Sequence, residues 1–277
     1  MAKITIGIPV FNEERYISKT ISSAISQFKS YDDLEIVISD NASTDKTIIE
    51  IFNIIENSDY NKKIKLIRQK TNIGAAKNFW ELFESTDSQY FMWLGGHDLL
   101  SEKFISNGID FLSTNSEYSL FSGTHLSIST ENIVEDKPII YDFSHENRYE
   151  RYLQSILKLS NCYIFHSIFD RKYLVNYAKY NCPSEDHIII SRLLWFGKLY
   201  QSKECAYARR YFADENRSMK EYQGSYVTPK NNVEFYDSYL SDLNLLLSNI
   251  PENLKISMLN KASEILFKRI GLPFIKN

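Results

Sequence analysis

Along the first hundred residues the apolar positions recur with two alternating periods. Ile4–Val10, ITIGIPV, is a continuous run rich in β-branched residues and predicts a buried strand. Ile17, Ile21, Ala24, Ile25 and Phe28 then fall at helical spacing, with Asn12 expected as the N-cap and Glu13 and Glu14 in the first turn. The unit repeats as a strand over Leu34–Ser39, a polar loop DNASTD, and a helix from about Asp45 to Asn57 that turns Ile48, Ile51, Phe52 and Ile55 inward. A third strand, Ile64–Gln69, leads through KTNIG to a helix over Ala75–Ser85, and a fourth covers Tyr90–Leu94.

This alternation predicts an α/β fold, a mainly parallel central sheet flanked by helices. In such sheets ligands sit beyond the carboxyl ends of the strands, so four loops matter: PVFNEE, SDNASTD, QKTNIGAAKN and GGHDLL. Further along, the pattern predicts a helix over Ser101–Thr114, a strand in YSLFSGTHLSIS, a hairpin tip over Ser129–Pro138 and a helix over 146–159. CYIFHSIFD reads as another strand, a helix starts at Ser184, and ECAYARRYF reads as a late strand. Two helical segments, about Asn231–Ser248 and Pro251–Ile270, form a C-terminal extension over 226–277. The preceding domain, 1–220, divides at about residue 100 into a half that carries the four strand-end loops and a half that follows them.

Charge narrows the partners. With 32 Lys and Arg against 35 Asp and Glu the net charge is −3, and no basic stretch with interleaved aromatics is present, so nucleic acid is not an expected partner. Cys162, Cys182 and Cys205 lack the spacing of a zinc or redox motif, which fits a reducing cytoplasm. No apolar run approaches the roughly 18 residues of a spanning helix, so a membrane role would be peripheral, at the inner face of the cell membrane. Lys255, Lys261, Lys268, Arg269 and Lys276 accompany an apolar stripe of Met258, Ala262, Ile265 and Leu266. Such a stripe packs on its own domain or on a second copy in a homodimer, or lies on an anionic membrane surface.

The strand-end loops carry the candidate chemistry. Asp40 can accept the ring N–H of a uracil-like base, or simply belong to a turn rich in Asp, Asn and Ser. Phe11 and Glu13 can supply a stacking face and a ribose hydrogen bond; Lys77 can reach a phosphate as a point charge, with Gly74 letting backbones approach. Two glycines before His97-Asp98 leave the backbone free to bend beside a ligand. Asp98 can hold a divalent cation that neutralises a diphosphate, and His97 as a second ligand favours Mn²⁺ over Mg²⁺. The alternative is a polar turn in which Asp98 caps the next helix. Ser184 is the expected N-cap of a helix opening with Glu185-Asp186, where the helix dipole favours a carboxylate placed as a general base. His166 is a candidate acceptor contact or a satisfied strand histidine.

Taken together, ITIGIPVFNEERYISKTISSAISQ, IVISDNASTDKT, NIGAAKNFWELFESTDSQYFMWL and SEDHIIISRLLWFGKL resemble the inverting family 2 glycosyltransferases of GT-A fold, over residues 3 to about 215. The resemblance implies a nucleotide-sugar donor, UDP-linked, and a saccharide or lipid-linked saccharide acceptor in surface-polysaccharide synthesis. Residue by residue it implies that Pro9, Phe11 and Glu13 line the base and ribose, that Asp40 faces the base, and that Lys77 lies near the nucleotide. Asp98 falls on the last aspartate of the metal motif, Asp186 on the catalytic base, with Glu185 beside it on the acceptor side. Where the family writes aspartates before that last one, this chain has Gly95, Gly96 and His97. That departure motivates an alternative, a non-catalytic nucleotide-sugar binder or partner subunit. Nucleotidyltransferase chemistry would need a Gly-rich, Arg-containing loop after the first strand, which this chain lacks.

Overall fold

All seven residues of β1 (Ile4–Val10) are buried, as an unalternating apolar run requires when helices cover both faces of a strand. The computed structural model describes residues 3–134, 137–159, 162–210 and 229–270. The chain divides into two compact units. The first comprises Met1–Asp142, His166–Lys172 and Leu199–Tyr211; the second comprises Phe143–Phe165, Tyr173–Lys198 and Phe212–Asn277.

In the first unit β1, β2 (Leu34–Asp40), β3 (Ile64–Arg68) and β4 (Tyr90–Trp93) are linked by α1 (Ile17–Ile25), α2 (Thr47–Glu56) and α3 (Ala75–Glu84). β5 (Leu99–Leu100), α4 (Phe104–Thr114), β6 (Tyr118–Ile128), β7 (Ile168–Asp170) and β8 (Lys198–Arg210) follow. The strands form one sheet in the order β3-β2-β1-β4-β7-β6-β8-β5. The first four pair in parallel. The β4–β7, β6–β7 and β5–β8 pairs are antiparallel. The sheet has the expected parallel core and is mixed rather than purely parallel. Helical crossovers enforce parallel pairing only as far as β4; beyond it β7 runs against both β4 and β6, and β5 against β8.

Ile4, Ile6, Ile8, Ile36, Ile38 and Met92 pack with Ile17, Ile21 and Ala24 of α1 and Phe104 and Ile105 of α4. A ring cluster of Phe83, Phe91, Trp93 and Phe169 packs separately, with centroids 5.0–6.3 Å apart. Two local expectations change. CYIFHSIFD is a short 3₁₀ turn over Tyr163–His166 and then a three-residue strand, because a short apolar run does not by itself distinguish a turn packed in a core from a strand. Asn12 does not cap α1. It sits at φ 55, the helix starts five residues later, and its Oδ1 accepts the Thr44 N–H at 2.8 Å.

The second unit contains α5 (Arg148–Lys158), α6 (Glu185–Phe196), α7 (Pro229–Leu246) and α8 (Glu252–Ile270). Asn147 caps α5 by accepting the Tyr149 and Glu150 N–H groups. α6 is buried on most of its surface, through Ile188, Ile189, Ile190, Leu193, Leu194 and Trp195. Arg192 pairs with fully buried Asp242 of α7 at 2.8 Å. α8 lies on α5: Ala262 and Leu266 are fully buried, and the Tyr149 hydroxyl donates to the Met258 carbonyl at 2.6 Å. The apolar stripe of the last helix thus packs within its own unit. The stretch 211–228, which includes the expected domain boundary, lies outside the described residues, as does Lys276. Cys162, Cys182 and Cys205 form no disulfide among the described residues, and no described helix is long and apolar enough to cross a membrane.

Candidate functional site

At the carboxyl ends of β1 and β2 the two loops are laced together. Asn12 N–H donates to Ser43 Oγ, Glu13 N–H to Thr47 Oγ1, and Glu14 Oε2 accepts from Lys46 N–H. The lacing leaves Phe11 43% exposed beyond buried Pro9, while Asp40 is buried and accepts the Ser43 N–H at 3.2 Å. Asn41 ties in the third loop, accepting the Ile73 N–H and donating to Asn72 Oδ1. Gly74 does not serve close approach, since a β-carbon there would meet nothing within 4 Å; its φ of 88 is what requires glycine. Lys77 projects from the first turn of α3, its side chain 64% exposed and 3.7 Å from Glu81 Oε1.

The GGHD loop is held from within the unit. Tyr207 of β8 donates its hydroxyl to Asp98 Oδ2, and Arg210 N–H donates to Oδ1 at 2.8 Å. The Arg210 guanidinium donates to the His97 carbonyl, the Ser129 carbonyl and Asn132 Oδ1. Asp98 is 2% exposed and does not cap α4, whose preceding residue is Lys103 in a left-handed conformation. The two glycines make room for protein groups. A β-carbon on Gly95 would lie 2.4 Å from Asp98 Oδ2, and one on Gly96 3.0 Å from Val10 Cγ1 and 3.1 Å from Glu13 Cγ.

His97 Nδ1 lies 2.7 Å from Glu13 Oε1, and a carboxylate can only accept, so Nδ1 carries the proton. Nε2 faces Asp98 Oδ1 at 3.9 Å. Burial pushes this imidazole down, but the Glu13 hydrogen bond and the charges of Asp98 and Glu13 outweigh it and raise its pKa above the ordinary histidine value. A neutral ring would turn its Nε2 lone pair toward a carboxylate, an arrangement that a proton or a shared cation relieves. Ligand distances of roughly 2.1 Å fit a 3.9 Å gap, so Asp98 Oδ1 and His97 Nε2 are the atoms here that could hold one divalent ion. His166 donates Nδ1–H to the Trp93 carbonyl at 3.0 Å and stacks on Tyr207 with centroids 4.7 Å apart, so it is a satisfied histidine behind the Asp98 support.

In the second unit Glu185 and Asp186 open α6 but face differently. Glu185 is 8% exposed; burial raises the pKa of the Tyr177 hydroxyl, and the Glu185 charge adds to it. Asp186 is half-buried, its Oδ1 accepting the His187 N–H at 3.1 Å. Ser184 precedes them at φ 60 and makes no side-chain cap, correcting the expected N-cap. Cys162, Asp186 and His187 bring ligand atoms within 4.8 Å of one another. Arg269 nevertheless donates to His187 Nδ1 at 2.8 Å, which leaves the ring proton of neutral His187 on Nε2 and sets a fixed cation beside the cluster. That donor set does not fit a metal.

Tyr207, Arg210, His187 and Arg269 are the participants that sequence reasoning missed. Their elements were legible, but their partners lie 82 to 113 residues away. Arg209 was missed as well, a positive charge acting on His97 and Tyr207.

Residues 5–177 match the family described as Glycosyl transferase family 2. An uncharacterised glycosyltransferase of Haemophilus influenzae is 34% identical over 117 residues, 42% of this chain and 44% of the relative. The chain thus spans less than half the length of that relative. Among solved structures, that of S. aureus TarS in complex with UDP-GlcNAc superposes with a TM-score of 0.67 at 17% identity, over 96% of this chain and 73% of the other. A mannosyltransferase of Pyrobaculum calidifontis in complex with GDP-Man and Mn²⁺ gives 0.56 at 12% identity, over 99% and 76%. At these identities the likeness establishes the fold.

Proposed function

Because the chain belongs to glycosyl transferase family 2, we propose that it moves a sugar, with inversion, from a UDP-linked donor to a hydroxyl of a saccharide or lipid-linked saccharide in cell-surface polysaccharide synthesis. The observation that carries the reading is the contrast between two strand- or helix-end carboxylates: Asp98 buried with both oxygens held, Asp186 half-exposed in the first turn of α6. A held carboxylate suits a fixed electrostatic role, and an accessible one suits proton transfer.

In this mechanism Asp186 takes the proton of the acceptor hydroxyl. The acceptor oxygen forms its bond to the anomeric carbon as the bond to the diphosphate oxygen breaks, and the electron pair leaves with the diphosphate. Phe11 stacks on the base with Pro9 behind it, Asp40 and Glu13 read base and ribose, and Lys77, His97 and Arg209 add positive charge near the phosphates. A divalent ion, Mn²⁺ in preference to Mg²⁺, would be held by Asp98 and His97 and would neutralise the departing diphosphate. Glu185 supports the acceptor side through the first turn of α6, while His166 backs Tyr207 and, through it, Asp98. The enzyme would act in the cytoplasm. Membrane or homodimer contact through 226–277 would use the outer faces of α7 and α8, where Leu245, Leu254 and Ile256 are exposed, because Lys261 and Arg269 are engaged within the unit.

Calorimetry with UDP and GDP, each with and without Mn²⁺, tests the donor half. UDP binding that tightens with Mn²⁺ and weakens in Asp98→Asn is expected; equal, metal-independent binding of both nucleotides overturns it. For the chemistry, Asp186→Asn should lose transfer at least 100-fold while keeping UDP affinity, and near-normal turnover would remove Asp186 as base. The full internal satisfaction of Asp98 also favours the second reading, a nucleotide-sugar binder without turnover. Donor consumption with Mn²⁺ present excludes it.

A further inference from the structure

α6 begins without the usual support. Ser184 is left-handed and contributes no side-chain cap; within the turn that carries Asp186 the His187 N–H is held locally, by the Ser184 carbonyl and Asp186 Oδ1, and Glu185 N–H donates back to the Cys182 carbonyl. His187, the next residue, is 8% exposed, its ring edge-on to Phe235 with centroids 6.1 Å apart, and its carbonyl accepts from the Tyr239 hydroxyl at 3.1 Å and from Ser191 Oγ at 2.9 Å. Its Nδ1 accepts from Arg269 in the last turn of α8. The same guanidinium donates to the carbonyls of Ile156, at 2.6 Å, and Leu159. These belong to the C-terminal turn of α5, where unpaired carbonyls and the negative end of the helix dipole favour a cation.

Three helix ends therefore meet at one planar group. Arg269 has donors only, so a neutral His187 is held as the Nε2–H tautomer, and burial keeps the imidazole neutral by lowering its pKa to about 4. The His187 ring in turn stands beside the Asp186 carboxylate, within the 4.8 Å cluster. A lysine in place of Arg269 would keep the charge but could not reproduce the fork that serves two carbonyls and a ring nitrogen at once.

We propose that Arg269 is a positioning residue for transfer: by fixing the ring of His187 against the end of α5, it sets the first turn of α6 and the place of Asp186. The terminal helix is then part of the catalytic arrangement and not an appendage. This rests on the reading of Asp186 as the base.

The test uses the full chain labelled with ¹⁵N-histidine, the His187 signals being identified by their absence in His187→Gln. Wild type should show protonated Nε2 and unprotonated Nδ1. In Arg269→Lys the tautomer should become mixed, and amide exchange over residues 185–188 should quicken at least 10-fold while β1 to β4 keep their protection. With any donor that wild type consumes, kcat should fall about 10-fold or more at unchanged donor KM, and ethylguanidinium should restore it in Arg269→Ala. An unchanged tautomer and unchanged exchange in Arg269→Lys overturn the inference whatever the activity. Should Arg269→Ala fail to fold, the lysine variant carries the test alone. If the ring responds as expected but Asp186→Asn remains active, the base assignment fails and the positional role of Arg269 survives.

Discussion

Gly95 shows how a single missing atom can define a site. Its neighbour Asp98 folds back over it, and alanine would put a β-carbon 2.4 Å from Asp98 Oδ2. Gly95→Ala should therefore displace the carboxylate, weakening Mn²⁺-dependent UDP binding at least 10-fold in calorimetry while the fold persists. Tyr207→Phe removes the donor to the same oxygen and should cost about 1–3 kcal/mol in urea unfolding, because a buried acceptor loses its partner. The sequence marked Gly95-Gly96-His97-Asp98 as the place to look. It could not show that the glycines serve Asp98 and Glu13 and not a ligand, since that depends on Tyr207 and Arg210 more than a hundred residues later.

At the scale of elements, β1 to β4 and the helices between them were readable because strand and helix periods are local properties of the chain. Pairing is not local, so the antiparallel half of the sheet and the turn at Tyr163–His166 were not readable. α6 illustrates both cases. Its apolar run predicts a helix from Ser184, but the residue that should cap it sits in the left-handed region. Ser184→Gly should accordingly raise stability slightly, by about 1 kcal/mol at most, where removal of a true cap would lower it. Farther along α6, Arg192 and Asp242 form a pair 7% and 0% exposed. Asp242→Ala should destabilise by about 3–5 kcal/mol, read by thermal or urea unfolding, because Arg192 would be left buried and unpartnered by charge.

Across the whole molecule, acid should be destabilising through histidines kept neutral inside it. Burial, with the charges of His166 and Arg209, lowers His125 from 6.5 to about 3. Burial also lowers His187 to about 4, with Asp186 opposing and Arg269 assisting. Below 6.5 the unfolded chain binds protons that these folded sites refuse, so stability is lost as pH falls from 6.5 toward 4, by about 2 kcal/mol for each histidine at pH 5. His97 works in the opposite sense: its raised pKa adds stability that is complete below 6.5 and lost as pH rises through the folded value. Melting temperatures from pH 7 to pH 5 should fall, and His125→Gln should flatten the slope. The support of Asp98 also has a consequence for synthesis. Its holders, Tyr207 and Arg210, lie 109 and 112 residues downstream, after the chain has left the first unit for Phe143–Phe165 and Tyr173–Lys198. On the ribosome the four parallel strands can assemble early, but the Asp98 anchor cannot close until residue 210 has emerged. A nascent chain arrested before that point would have made β1 to β4, and β7 beside β4, while Asp98 still lacked both of the groups that hold it.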